Sequence, residues 1–320
     1  MATDPPKIPH ALEDPEDSTR SERQPTGSTI PDPLSTEEHG RLFSAYRDNY
    51  LLPNDGEEQD RLDLQHTAWK HILKGRLYMA PIVDPVNALD IGTGTGIWAI
   101  EFARKHPNTN IIGTDISLIQ PSENIPPNVK FEREDSEQEW IFDRLFDFIH
   151  WRLMVSCFTD FEAMIRKCFH HLKPGGWSEF HEGTFELVPA DDAAAEVLKG
   201  SALEQAFKAG PAAGAAIGRD FDAPKKFKKW MLEAGFVDVV EEQRLIPINS
   251  WPVSREDKLI GSWQCLNFLK LSGGLGKMLQ ASGFPSEDLP EFQERFRHDV
   301  TWAQMRVYFP VFIVYGRKPF

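Results

Sequence analysis

The residues best suited to chemistry lie on one short stretch and at two points beyond it. Asn87-Ala-Leu-Asp-Ile-Gly-Thr-Gly-Thr-Gly-Ile-Trp-Ala-Ile-Glu-Phe102 passes from an apolar run through Gly92, Gly94 and Gly96 straight into a helical pattern. Glycine takes up positive φ and lets a ligand lie against the backbone, and the helix behind the turn offers unpaired N–H groups and a positive dipole end. Strand, glycine turn and helix therefore make a seat for a nucleotide-like ligand. Asp115 closes a second apolar run about 23 residues beyond Gly92, where a carboxylate can accept from both ribose hydroxyls. Asp135 closes a third run, and His150, His181 and His66 are the side chains able to take a proton near neutral pH.

These residues need a frame. Asp55 with Glu58 resembles a capping box and opens a helix expected over 55–76, on which Leu62, His66, Trp69 and Leu73 share one stripe, so that His66 points inward. After the glycine turn, strands are expected at Asn110–Ser117, Asn128–Asp135, Phe146–Leu153 and Gly176–Glu182. A helix opened by Thr159 and Glu162 and closed by Lys173-Pro-Gly-Gly176 lies before the last of them. This rhythm predicts an α/β fold with a doubly wound, mostly parallel sheet. Residues 183–222 and the aromatic, helical 251–303 are expected as helical insertions forming lids over the ligand. A last strand at Tyr308–Tyr315 contains Pro310, which argues for an edge position or a bulge. The first 36 residues are rich in Pro, Asp, Glu, Ser and Thr and read as a disordered tail, leaving 37–320 as one domain.

With 320 residues, 41% hydrophobic and 26% charged, the chain can bury a large core and is neither fibrous nor wholly disordered. A net charge of −14 argues against a nucleic-acid-backbone binder, which would concentrate Lys and Arg. Cys157, Cys168 and Cys265 show no CxxC spacing and fit a reducing intracellular compartment. No apolar run serves as a signal peptide or approaches the ~18 residues of a membrane span, so a soluble cytoplasmic protein is expected, with the nucleus as the other compartment. No His or Cys ligand spacing suggests a metal, and none is expected.

A dinucleotide turn asks for G-x-G-x-x-G, but its last glycine position, 97, is Ile here. The G-x-G-x-G spacing favours S-adenosylmethionine, and Asp90, Asp115, Asp135 and Leu172-Lys-Pro-Gly-Gly-Trp177 strengthen that choice over a nicotinamide. Leu89-Asp-Ile-Gly-Thr-Gly-Thr-Gly96 and Leu172-Lys-Pro-Gly-Gly176 resemble the signature motifs of class I S-adenosylmethionine-dependent methyltransferases, which implies a seven-stranded Rossmann-like sheet. Leu52-Pro-Asn-Asp-Gly-Glu-Glu-Gln-Asp-Arg-Leu62, Gly96-Ile-Trp-Ala99 and Val314-Tyr-Gly-Arg-Lys-Pro319 resemble the fungal LaeA-like methyltransferases, a family associated with secondary metabolism as regulators or as cluster enzymes.

The resemblance implies that Gly92, Gly94 and Gly96 lie against the methionine part of the cofactor, with Asp90 supporting the turn and the amino group. It places Asp115 on the ribose, Asp135 at the adenine amino group, and His150 with Trp151 beside the sulfonium. Methyl transfer is a direct displacement that needs alignment and dryness before anything else. For a phenol, enol or amine acceptor, His150, His181 and His66, in that order, are the candidate bases. The expected function is methylation of a small-molecule intermediate of fungal secondary metabolism, with the two insertions forming the acceptor pocket. The alternative is a LaeA-type regulator in a nuclear protein complex, docking through its tail and first helix.

Overall fold

The computed structural model describes residues 32–38, 40–46 and 50–320. Most of the tail expected over 1–36 lies outside the described residues, but its last stretch is structured. Asp32 is buried, accepts from the Leu34 and Leu118 N–H groups and pairs with Arg133 at 2.6 Å. Strand β1 (Ser35–Glu38) then pairs antiparallel with β2 (Arg41–Ser44). The boundary drawn at 36 thus falls inside a strand. Composition could not reveal it, because Asp32 finds its cation 101 residues downstream.

Helix α1 (Gly56–Ile72) begins at the expected cap, with Asp55 Oδ1 accepting from the Glu58 N–H at 3.0 Å. Glu58 does not complete the box; its carboxylate turns to Arg61. Next come β3 (Asn87–Ile91), α2 (Ile97–Lys105), β4 (Asn110–Asp115), β5 (Val129–Arg133), β6 (Phe146–Arg152) and α3 (Phe161–His171). The α3 cap is Asp160, accepting from Ala163 N–H, whereas Thr159 bonds Glu137. Strand β7 (Leu172–Gly183) already includes Lys173-Pro-Gly-Gly176, and Lys173 pairs with Asp147 of β6. After it come β8 (Val188–Pro189), α4 (Asp192–Leu198), α5 (Ala202–Ala216), α6 (Phe227–Ala234) and β9 (Val237–Pro247). Helices α7 (Arg255–Leu271), α8 (Gly276–Ala281) and α9 (Leu289–Thr301) precede β10 (Val307–Arg317).

The main sheet runs β5-β4-β3-β6-β7-β10, with β9 on the far side of β10 and the two-residue β8 pairing its start. Strands β3 to β7 are mutually parallel and β10 is antiparallel to its neighbours, so the mostly parallel sheet is as expected, with β8 an eighth strand added to the seven. Pro310 lies inside the sheet, not at an edge. Its carbonyl accepts from Thr184 N–H on the β7 side, and β10 has no ladder partner at Pro310 on that side, between Tyr308 opposite β8 and Val311 opposite Gly183. The N–H that proline lacks would point the same way as that carbonyl, into the gap.

Three apolar clusters hold the layers together. Trp98, Phe102 and Phe148 join α2 to one face of the sheet, and Trp151, Phe161, Phe180 and Phe227 join α3 and α6 to the other. The third belongs to a helical cap, in which Trp69, Leu203, Phe268, Phe292 and Phe296 pack α1, α5, α7 and α9 into one body. Burying each such side chain contributes roughly 1.5–3 kcal/mol. The segments 183–222 and 251–303 therefore form a structured helical layer whose core is shared with α1, β9 and β10.

Candidate active site

Because β3, β4, β5 and β6 are parallel neighbours, their C-terminal ends share one rim, and a cavity of about 260 Å³ lies between that rim and the helical cap. Gly92, Gly94 and Gly96 have φ of +64°, +56° and +78°, a region costly for any side chain with a Cβ. At Gly94 a Cβ would touch only Leu62 Cδ1 of α1, at 3.4 Å. Gly92 and Gly94 line the cavity. Gly96 does not. A Cβ on it would overlap the Phe131 ring, so its freedom serves the start of α2 and the packing behind the turn, a correction to the expected ligand contact.

Carboxylates hold the turn in shape. Gly94 N–H donates to Asp115 Oδ2 at 2.9 Å, and Ser117 N–H donates to the other oxygen at 2.9 Å. Asp90 accepts from Thr93 Oγ1 at 2.7 Å, and Thr95 Oγ1 donates to Asp63 of α1 at 2.6 Å, tying the helix to the turn. Burial pushes Asp115 up to about 6 and Asp90 up to about 7. Asp115 and Asp135 line the cavity; Asp90 sits beneath the turn and supports it from outside the cavity. Asp135 Oδ1 accepts from the Glu137 N–H at 3.1 Å.

The three histidines and Trp151 are placed otherwise than the sequence suggested. His150 is fully buried, its Nδ1 is 2.8 Å from Asp90 and its ring stacks on Trp98 at 3.9 Å. Burial holds its pKa well below the usual histidine range, so the ring is neutral. His181 bonds Glu179 at 2.5 Å and stacks on Trp69. Glu179 in turn accepts from the Met79 and Ala80 N–H groups. His66 faces inward as expected, but into contacts with Arg152 and Glu101. Trp151 lies on the opposite face of β6, stacked on Phe180 at 3.6 Å. None of these four lines the cavity, because the strand pleat and the packing of α1 and α2 turn each ring into the protein.

Sequence reasoning missed much of the lining. Arg152 at the end of β6 lies two residues from His150 and shares its side of the strand; that spacing was the one available signal. Arg61 makes two bonds to Glu58 and reaches Asn267 of α7 at 2.8 Å, joining two segments 206 residues apart. Phe185, Phe207, Phe221, Phe268 and Phe309 wall the cap end. Among the described residues no His, Cys, Asp or Glu cluster could hold a metal, and no helix is long and apolar enough to cross a membrane.

Residues 64–242 match the family described as a methyltransferase domain, which is more than half of the chain. The chain belongs to the methyltransferases. It is similar to methyltransferase pytC of Aspergillus terreus, 34% identical over 294 residues that cover 88% of this chain and 87% of that one. It is also similar to the secondary metabolism regulator LAE1 of Cochliobolus heterostrophus, 32% identical over 242 residues, 71% of this chain and 75% of the other. Haemonchus contortus phosphoethanolamine N-methyltransferase 2, solved with S-adenosylmethionine, superposes with a TM-score of 0.44 at 15% identity over 86% of this chain and 55% of that one. This methyltransferase is related to fungal methyltransferases and secondary-metabolism regulators, as the motif resemblance implied.

Proposed function

We propose that this methyltransferase acts on a small, largely apolar molecule of secondary metabolism, seated beneath the helical cap. The observation that carries the reading is the shape of the cavity, which runs without a break from the glycine turn to the phenylalanine walls of α5 and α7. A protein substrate would need an open groove; here the acceptor end is roofed by a packed helical core.

The residues present fit the cofactor. Gly94 leaves room where a Cβ would stand, and Asp115 uses one backbone donor on each oxygen, keeping lone pairs for ribose hydroxyls. Gly92 and Gly94 hold the methionine part, Asp115 the ribose and Asp135 the adenine amino group, with Asp90 bracing the turn. S-adenosylmethionine, when bound, supplies a methyl carbon already activated by a sulfonium. The chain aligns the acceptor and keeps water out. His150, His181 and His66 stand away from the acceptor end, so alignment supplies the catalysis, and an acidic enol or phenol gives its proton to solvent before the site encloses it as the anion.

Labelled methyl transfer tests this. Label from S-adenosylmethionine should enter the low-molecular-weight fraction of a fungal metabolite extract, with a pH–rate profile free of a histidine limb. Similarity to LAE1 favours a second reading, action within a protein complex. Label confined to a protein extract would displace the first reading in favour of that one.

A further inference from the structure

The rim of the sheet presents its ligand-facing groups in a fixed order. Asp135 follows β5, Asp115 ends β4, Gly92 follows β3 and Arg152 ends β6, and these four strands are consecutive neighbours. Ile91 pairs with Trp151, so Gly92 and Arg152 come next on their strands, side by side. Adjacent strands are about 4.8 Å apart, so the row spans roughly 14 Å. S-adenosylmethionine has its own linear order of adenine, ribose, sulfonium and amino-acid arm. With adenine at Asp135 and ribose at Asp115, the arm passes Gly92 and its carboxylate comes to Arg152.

Arg152 is suited to an anion. Among the described residues its guanidinium bonds His66 Nδ1 at 3.0 Å and has no carboxylate within ion-pair distance, and it lies over the Trp69 ring at 6.0 Å. Burial brings its pKa down to about 10 against the pull of the Asp90 and Glu101 carboxylates, neither of which reaches it directly. The group that orients it is neutral. Burial takes His66 down to about 4, so Nδ1 accepts from Arg152 and the proton sits on Nε2, which faces Glu101 at 3.4 Å. Glu101 also receives Lys70 at 3.2 Å. The chain Lys70–Glu101–His66–Arg152 thus sets one histidine tautomer and points the guanidinium.

We propose that Arg152 binds the amino-acid carboxylate of S-adenosylmethionine, with His66, fixed by Glu101, as its positioning residue. This rests on the cofactor placement proposed above.

Calorimetry on the full chain compares S-adenosylhomocysteine with 5′-methylthioadenosine, which keeps the adenosine and the thioether but lacks the amino-acid arm. Arg152→Met should weaken S-adenosylhomocysteine at least tenfold and change 5′-methylthioadenosine less than twofold; the second ligand also reports that the variant is folded. His66→Leu should reproduce part of the loss and His66→Gln, which keeps an acceptor for Arg152, should recover some of it. An unchanged ratio of the two affinities in Arg152→Met, whether both fall or neither does, overturns the assignment and leaves Arg152 to the acceptor or to structure. If the unmodified chain binds neither ligand, the cofactor placement itself fails, a result separable from the first.

Discussion

The two ends of the cavity are built by different means. At the rim of the sheet the ligand surface is backbone and carboxylate: Gly92 and Gly94 in left-handed conformations, pinned by Asp115 and braced by Asp90. At the cap it is side-chain surface, phenylalanines from the segment after β7, α5, α7 and β10 meeting over one space. On the function proposed above, the first end recognises one molecule by hydrogen bonds and tolerates few changes. The second recognises shape and area, and can be reshaped residue by residue while α1, α5, α7 and α9 keep their core. A common donor and a changing acceptor are served by this division of labour.

The sharpest way to break the contrast is at Asp115. Asp115→Ala leaves the N–H groups of Gly94 and Ser117 without acceptors, at ~1–3 kcal/mol each, and S-adenosylhomocysteine affinity should fall about a hundredfold, or ~2.7 kcal/mol. A change below twofold in calorimetry would remove Asp115 from the ribose. The same carboxylate gives a pH signature. Hydroxyl donors favour its ionised form, so affinity should rise as pH climbs through about 6, and Asp115→Asn should flatten that rise. Stability runs the other way. Asp115 and Asp90 are raised by burial, so the folded chain keeps protons that the unfolded chain has released; stability present at low pH is lost as pH rises through about 6 and 7.

Phe207→Ala probes the other end. Phe207 lies 6.0 Å from Phe268 and 6.1 Å from Phe185, ring to ring. Its truncation should raise acceptor KM about tenfold, ~1.4 kcal/mol, with S-adenosylhomocysteine affinity unchanged. Equal losses for both ligands would mean that the ends are not independent. The smallest effect belongs to Ser254→Ala at the start of α7, where the hydroxyl accepts from Asp257 N–H at 3.0 Å. Thermal unfolding should register a loss of ~1 kcal/mol, with neither ligand affected. A change in acceptor KM would show that the roof's rigidity itself sets the site.

The same contrast explains how much of the site can be read from the residues alone. The glycine turn and its pairing with Asp115 were legible because strand, turn and helix start lie in one run and the carboxylate closes the next strand. The order of strands followed from the alternation of apolar runs. Arg152 was missed, since its meaning depends on His66 of α1, 86 residues away. The histidines misled for a related reason. His150 and His181 are neighbours in the sheet, but which face they share with Trp98 and Trp69 is decided by helices packed from elsewhere. Phe207 and Phe268 belong to helices whose periodicity predicts burial without saying that part of each ring would border a void.

Strand β10 has a further consequence, for the order in which the molecule can be assembled. It is translated after every other strand of the sheet yet sits between β7 and β9. Its residues also complete two of the three cores, with Ile313 in the cap and Val314 behind the sheet. A chain emerging from the ribosome can form the glycine turn and its carboxylate braces early, while β9 has no partner until β10 arrives. Completion of the sheet and of the cap core therefore waits for β10, and shortening the chain before Val307 should yield a species that is open at the cap and exposes the flank of β7 to other chains.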